Sequence, residues 1–264
     1  MIVLGFDTAT VATVVGLTLA DGSTLQARDD PTGEQRPGHA TRLLPLASEL
    51  LAEAGLGWSE LERIAVGVGP GTFTGLRIGI ATARGLAQSL GVTLVGVSSL
   101  RALAHGVKER TTAEAAGADP VIRGDGAAGV DSTLGADEGA GVLAMIDARR
   151  GEAFVAAYDG DVELIAPHAL PPSAMGELLE RAAARTNLQR WIAVGDGALR
   201  YRDALERPGV VVPGARSALH RIQARAICGL GTRPPARAPA GDAQVVPDYR
   251  RRPDAEIALE GAAS

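Results

Sequence analysis

The chain has 264 residues, of which 46% are hydrophobic and 22% are charged, a composition typical of a folded protein with one large domain or two small ones. The net charge of -5 argues against a protein that binds nucleic acid by itself, since neutralised phosphates supply most of that affinity, but it allows a subunit of an RNA-modifying complex. The only lysine, Lys108, follows no glycine-rich loop, which excludes a Walker-type phosphate loop.

The first residues predict a β-strand and not a targeting segment. Met1 to Asp7 contains no basic stretch, and no apolar run in the chain approaches the length of a membrane span. Cys228 is the only cysteine, so an internal disulfide is excluded, and its apolar neighbours favour a small buried side chain over a nucleophile. We therefore expect a cytoplasmic protein with no membrane attachment.

The first half of the chain predicts a sheet with helices. Its hydrophobic pattern changes between strand and helix periods, and Asp21-Gly22 is a favourable hairpin turn. Pro45 lies inside the first helical pattern, whose early turns it should kink or shift. The predicted elements are strands Ile2–Phe6, Val14–Leu19 and Thr24–Arg28, helix His39–Ala54, strand Ile64–Val68, the turn 69–75 with a helix to Leu90, strand Thr93–Val97 and helix Ser98–His105.

Residues 109–140 interrupt this order, and after them it repeats. The interrupting segment is dominated by Ala, Gly, Asp and Thr, which predicts a mobile low-complexity insertion. The elements predicted beyond it are strands Val142–Ile146, Ala153–Tyr158 and Val162–Ile165, helix Ser173–Arg185, strand Trp191–Val194, the turn 195–197 with a following helix, strand Val210–Val212 and helix Ser217–Leu230.

This repetition predicts the fold class and the domain organisation. Each half begins with a strand that ends in an aspartate, Asp7 or Asp147, and then follows the same order of elements. Such tandem units are typical of the actin-like and sugar-kinase-like duplicated α/β fold, whose two lobes each have a mixed β-sheet with flanking helices. The expected divisions are an N-terminal lobe at 1–106, the insertion at 107–140, a second lobe at 141–216, a helix at 217–230 that could pack back on the first lobe, and a linker and tail at 231–264.

Four residues are weak candidates for nucleotide binding in such a fold. Asp7 and Thr8 lie where the first strand should meet a phosphate loop, but Ala9 replaces the glycine that would let the backbone approach phosphate. Asp7 is therefore either a structural aspartate or a surviving ligand. Gly195 and Gly197 lie where an adenosine-binding loop would be, although a lone glycine pair also fits a plain tight turn. We predict no bound cofactor.

The sequence contains no recognisable catalytic constellation. The four histidines, His39, His105, His168 and His220, are far apart in sequence, and no acidic cluster has ligand spacing, so we predict no metal site. Glu152 has no evident carboxylate partner for acid–base chemistry, and no serine nucleophile elbow occurs. We therefore predict no catalytic residues.

The helix from Gly75 to Leu90 is the most informative segment. Its small residues recur every four positions and permit close backbone approach, while its polar residues form one narrow stripe. A helix with so little polar surface must be covered on two sides, by its own sheet and by either the helix at 39–54 or a second protein. The small residues are Gly75, Gly79, Ala83 and Ala87, and the polar ones are Arg77, Arg84 and Gln88.

Several segments of the sequence resemble the TsaB family. The strongest match is residues 67–79, Gly-Val-Gly-Pro-Gly-Thr-Phe-Thr-Gly-Leu-Arg-Ile-Gly, which is nearly the family signature. Residues 37–45, 97–100, 147–152 and 247–251 complete the pattern, which covers almost the whole chain except the insertion. The chain departs from the family at Ala40-Thr41, where Ser-Glu is usual, at Val68, where Arg is frequent, and in the insertion.

The resemblance implies a subunit without catalytic activity of its own. In the family, TsaB supports the transferase TsaD, which transfers threonylcarbamoyl to the tRNA adenosine beside the anticodon, and the ATPase TsaE joins the complex. The implied partners are therefore TsaD and TsaE, with tRNA reached only through the complex and a homodimer in isolation. The basic cluster Arg250–Arg252 is interpreted as a solvated tail in preference to an RNA contact. The expected interface residues are His39, Arg42, Leu46, Arg77, Ala81, Ala83, Arg84 and Gln88.

Two other functions compete with this interpretation. A small-molecule kinase or ATPase of the same fold would turn over nucleotide by itself, and the alanine-containing loop after Asp7 is the main argument against it. A metal-dependent peptidase would need a ligand cluster that this sequence lacks.

Overall fold

The computed structural model describes residues 1–32, 35–115, 139–233 and 245–250. The strands are β1 Val3–Asp7, β2 Thr13–Thr18, β3 Thr24–Asp29, β4 Arg63–Gly69, β5 Thr93–Ser98, β6 Gly141–Arg149, β7 Glu152–Asp159, β8 Val162–Leu170, β9 Trp191–Val194 and β10 Val210–Val211. The α-helices are α1 His39–Glu53, α2 Phe73–Leu90, α3 Ser99–Ala115, α4 Met175–Ala183, α5 Asp196–Arg200 and α6 Ala224–Thr232.

Two sheets with the same strand arrangement form the framework. Their orders are β3-β2-β1-β4-β5 and β8-β7-β6-β9-β10, so the second sheet repeats the first strand by strand. β1 pairs antiparallel with β2 and parallel with β4, and β6 pairs in the same two ways with β7 and β9. The predicted duplicated actin-like fold is confirmed by this topology.

Three hydrophobic clusters define the layers of the molecule. α1 and α2 cover the outer face of the first sheet, and α4 covers the outer face of the second. α3 and α6 lie between the two sheets in a core to which both lobes contribute. α6 approaches β1 closely, because a Cβ built at Gly5 would lie 2.5 Å from the Cys228 sulfur. The buried Cys228 agrees with its interpretation as a packing residue.

Two predicted helices differ from the structure. α3 continues to Ala115, ten residues beyond the predicted end at His105, and Val107 on that extension is buried. The single helix predicted at 217–230 is divided into a 3₁₀ turn, Ala218–His220, and α6. The division occurs because Gln223 has extended backbone angles and its side-chain amide donates to the carbonyls of Ala218 and Arg221. The part of the predicted insertion at 116–138 lies outside the described residues.

The remaining boundaries lie close to those predicted. α1 runs through Pro45 without interruption, so the proline does not shift the helix start. α2 ends at Gly91, whose φ of 69° is the left-handed cap conformation that favours glycine. No helix in the described part of the chain is long and apolar enough to cross a membrane.

Candidate functional site

The glycine-rich turn before α2 packs closely against the loop after β1 and forms hydrogen bonds with it. A Cβ at Gly71 would lie 2.3 Å from the carbonyl oxygen of Ala9, and one at Gly75 would lie 1.9 Å from that of Thr8. The Thr72 amide donates to the Ala9 carbonyl at 2.7 Å, and the Thr8 hydroxyl donates to the Gly75 carbonyl at 2.7 Å. The glycines of the strongest sequence motif therefore permit backbone-to-backbone packing, and Thr8 is fully buried by it.

Asp7 is enclosed at the end of β1. Its side chain accepts hydrogen bonds from the Ser99 hydroxyl at 2.6 Å and the Ala9 amide at 2.7 Å, and only 1% of the residue is exposed. A Cβ at Gly67 would lie 1.8 Å from the carboxylate, so that glycine makes room for it. Burial raises the pKa of Asp7, and the two hydrogen bonds oppose the rise. Of the two interpretations of Asp7, this geometry favours the structural one.

The glycine turn of the second lobe also packs on its own sheet. A Cβ at Gly195 would lie 1.9 Å from the Met145 carbonyl oxygen, and one at Gly197 would lie 3.0 Å from the Ile146 backbone. The Asp196 carboxylate accepts a hydrogen bond from the Asp147 amide at 3.0 Å, and burial raises the pKa of Asp196. Close packing of α5 on β6 thus accounts for both glycines.

The two strand-end aspartates differ in their surroundings. The Asp147 side chain is 15% exposed and lies 3.4 Å from a guanidinium nitrogen of Arg200. The hairpin that follows β6 places Arg149 and Arg150 at φ of 64° and 51°, a conformation that side chains other than glycine rarely adopt. The second lobe therefore presents exposed arginines at the position where the first lobe presents a closed loop.

The small-residue stripe of α2 faces inward. Gly75, Gly79, Ala83 and Ala87 are all buried, and a Cβ at Gly79 would lie 2.3 Å from the Thr8 hydroxyl. The predicted interface residue Ala83 has 0% exposure within the outer core of the first lobe, so it cannot contact a partner. The small-residue stripe is therefore covered by the chain itself, through the loop after β1 and the outer core of the first lobe, and not by a second protein.

The outward face of α2 contains a second pair of small residues. Ala81 and Gly85 are exposed, and no heavy atom lies within 4 Å of a Cβ built at Gly85. Gln88 is exposed on the same side. Small side chains one helical turn apart leave room for another helix to approach closely. We call Ala81, Gly85 and Gln88, together with the exposed Leu44 of the neighbouring helix α1, the docking face.

The predicted interface residues on the neighbouring helix α1 differ in their exposure to solvent. His39 and Leu46 are each 3% exposed, and the His39 ring is 2.8 Å from the Thr13 hydroxyl. Burial lowers the pKa of His39. These two side chains belong to the interior, which corrects their placement on the interface. The Arg42 side chain is 44% exposed and lies 3.6 Å from Asp29.

A C-terminal segment binds the two arginines of the polar stripe of α2. We call residues 245–250 the strap. Arg84 donates to the Val245 carbonyl at 2.7 Å, and Arg77 donates to the Tyr249 hydroxyl at 3.1 Å. The Asp248 amide donates to the Val68 carbonyl at 2.8 Å. The residues before the basic cluster therefore pack on the first lobe, whereas Arg250, the member of the Arg250–Arg252 cluster that the structure describes, is exposed.

Sequence reasoning missed the strap, although its composition gave a signal. Val245, Val246 and Tyr249 are three large apolar side chains close together after a polar, proline-rich stretch. Val245 is 9% exposed and belongs to the outer core of the first lobe. Val246 and Tyr249 remain 55% and 41% exposed.

Two further features concern ligands. Among the residues that the structure describes, no group of three or more His, Cys, Asp or Glu side chains is placed to hold a metal ion. A small cavity of about 10 Å³ lies where α3 meets the segment 218–225, next to Leu103 and Gln223. Its volume fits about one water molecule and no nucleotide.

Comparison with known proteins gives consistent matches. The family described as TsaD, tRNA N6-adenosine threonylcarbamoyltransferase, matches residues 34–123. The Escherichia coli tRNA threonylcarbamoyladenosine biosynthesis protein TsaB is 39% identical over 106 residues, which are 40% of this chain and 44% of that protein. The Haemophilus influenzae TsaB is 41% identical over 76 residues, 29% of this chain and 32% of that protein. The aligned stretches thus span less than half of these curated relatives.

The solved structure of YeaZ from Pseudomonas aeruginosa is similar along its full length. It covers 94% of this chain and 99% of its own, with a TM-score of 0.65 and 26% identity.

Proposed function

We propose that the chain acts as TsaB proteins do, in forming threonylcarbamoyladenosine on tRNA, as a non-catalytic subunit that binds and supports a TsaD-type transferase; its similarity to TsaB proteins and to YeaZ supports this. The observation that carries the proposal is the docking face. It combines two exposed small residues on α2 with an exposed leucine, Leu44, that is 44% accessible on α1.

Similarity between the two partners supports pairing through these helices. The transferase family matches residues 34–123, a range that contains both α1 and α2. A transferase of this kind should therefore carry a corresponding pair of helices. Two related surfaces can pair across an approximate two-fold axis, as identical surfaces do in a symmetric dimer. The same argument gives a homodimer of this chain when the transferase is absent.

The closed end of β1 supports the non-catalytic part of the proposal. Both Asp7 and Thr8 direct their polar atoms to groups of the chain itself. A phosphate ligand in this place would have to compete with those hydrogen bonds and with the packing of Gly71 and Gly75. In the proposed complex the reaction belongs to the transferase, and a TsaE-type ATPase joins through it.

Depletion of the protein in its own organism, followed by complementation, tests the proposal. We expect cells depleted of this protein to lose threonylcarbamoyladenosine from their tRNA, as measured by mass spectrometry of nucleosides, and to recover it when the chain is supplied again. The chain should co-purify with the same organism's TsaD-type transferase. Unchanged nucleoside levels on depletion would contradict the function, and nucleotide turnover by the isolated chain would favour the kinase alternative.

A further inference from the structure

The strap builds an ordered aromatic and cationic surface at the start of α2. The rings of Phe73 and Tyr249 lie 5.1 Å apart with an interplanar angle of 30°. The Arg77 guanidinium carbon lies 3.7 Å from the centre of the Phe73 ring, and its Nε donates to the Tyr249 hydroxyl. Arg77 thus holds both rings in place, while 41% of Tyr249 remains exposed.

The strap also runs along the first sheet. Arg250 lies 2.5 Å from the Asp248 carboxylate and is exposed. The Asp248 amide donates to the Val68 carbonyl, and a Cβ at Gly96 of β5 would lie 3.5 Å from Val245, so the strap lies along β4 and β5. The ring of Tyr158, on β7, lies beside Arg101 of α3, the helix that follows β5. The Arg101 guanidinium carbon is 5.0 Å from the centre of that ring. The strap therefore extends from α2 along β5, from which α3 and Arg101 continue.

A group of cations continues beyond Arg101. Asp161, at the turn between β7 and β8, lies 3.1 Å from Arg101, 2.9 Å from Lys108 and 3.1 Å from Arg233. Its hydrogen bonds from Lys108 and Arg233 hold the pKa of Asp161 at about 2. Three cations therefore surround one carboxylate at the turn that follows β7.

We propose that the strap and the adjoining cations form a binding site for single-stranded RNA, with a base stacked on Tyr249 and phosphates next to Arg250 and Arg101. The inference rests on the proposed function for the identity of the RNA, which is then a tRNA loop. Proteins recognise unpaired bases by stacking them on aromatic rings and guanidinium planes. The Phe73–Tyr249 pair supplies such a platform at the start of α2. Basic side chains next to it can contact the phosphate backbone of the RNA. The strap would thus give the chain a direct, weak contact with RNA in addition to its contact with the transferase.

Fluorescence anisotropy of the full chain with a labelled single-stranded oligoribonucleotide tests the site. At low salt the parent chain should bind, and Tyr249→Ala should weaken binding by about fivefold or more, the low end of what the loss of one stacked base costs. Arg250→Glu should weaken binding to a similar extent and reduce its salt dependence by about one phosphate contact. Tyr249→Phe keeps the ring and should bind as the parent does.

Arg181→Glu on α4 is the matched control for charge. It changes the net charge as Arg250→Glu does, but α4 covers the outer face of the second sheet, away from α3 and the strap. A parent chain that binds no RNA would overturn the inference, as would equal losses from Arg181→Glu and Arg250→Glu. If Tyr249→Ala left RNA binding intact but reduced co-purification with the transferase, the strap would be a protein contact instead. Any of these results leaves the proposed function standing, because parent co-purification and tRNA nucleoside analysis test that separately.

Discussion

The two faces of α2 both carry small residues, but the structure gives them different surroundings. On the inward face, Gly75 and Gly79 meet the backbone and hydroxyl of Thr8 at distances that allow no added carbon. On the outward face, Gly85 has open space where its Cβ would be, and Ala81 is exposed beside it. The comparison teaches that spacing of small residues indicates close packing without showing which partner is packed. Substitutions on the inward face should therefore lower the stability of the fold, whereas substitutions on the outward face should leave the fold stable and affect partner binding.

The largest loss of folding stability is expected from a substitution at the centre of the inward face. Ala83→Trp places a large ring in a site with 0% exposure, next to Ile80 and Leu46 in the same core cluster. We expect the free energy of unfolding to fall by at least about 3 kcal/mol, because core overpacking forces backbone shifts. Urea or thermal unfolding of the isolated chain measures this. A parent-like stability would mean that the inward face is open to solvent.

A smaller loss of folding stability is expected when a single methyl group is added at the start of α2. Gly75→Ala would bring a Cβ to 1.9 Å from the Thr8 carbonyl oxygen, and backbone must move to relieve the contact. We expect a loss of about 1–3 kcal/mol in unfolding free energy.

The control for Gly75→Ala is Gly85→Ala on the outward face. It should stabilise the chain by about 0.5–1 kcal/mol, because alanine suits a helix interior better than glycine. Equal effects from the two substitutions would remove the distinction between the faces.

The closed loop beneath the inward face predicts a pH effect at Asp7. Because burial raises its pKa above the ordinary 3.8, the stability it contributes is fully present below that value and is lost as pH rises through the folded-state pKa. Asp7→Asn should therefore gain stability relative to the parent as the pH rises above 3.8, as followed by thermal melting.

Asp161→Asn should show the opposite trend. The pKa of Asp161 is lowered to about 2, so its contribution is present above 3.8 and lost as pH falls through about 2. The size of this effect should be small, since the Asp161 side chain is 44% exposed. Asp7→Asn behaving like Asp161→Asn would show that the Asp7 carboxylate is held by a favourable charge, as a ligand site would require.

Local patterns predicted most of the fold. The strands were found because their buried residues alternate or run continuously, and α1 and α2 because their apolar residues follow a helical period. α3 was predicted too short because Val107 is the only large apolar side chain between His105 and Ala115. The break before α6 depends on Gln223, whose amide bonds are made only once the chain has turned.

The candidate site was less predictable because it depends on contacts between distant residues. Arg77 and Arg84 were predicted as interface residues because they form a polar stripe on the helix, but they bind a strap 172 and 161 residues away in sequence. Ala83 was assigned to the partner side although its stripe fits the loop after β1. Ala81, from the same prediction, does lie on the outward face.

Co-purification of Ala81→Trp with the TsaD-type transferase tests the central claim most directly. The substitution matches Ala83→Trp in chemistry and lies two residues away, but on the exposed face of the same helix. We expect the isolated variant to unfold at the parent's temperature, to lose the transferase in pull-down, and to leave tRNA without threonylcarbamoyladenosine in depleted cells. A stably folded Ala81→Trp chain that still binds the transferase and restores the modification would contradict the placement of the docking face on α2.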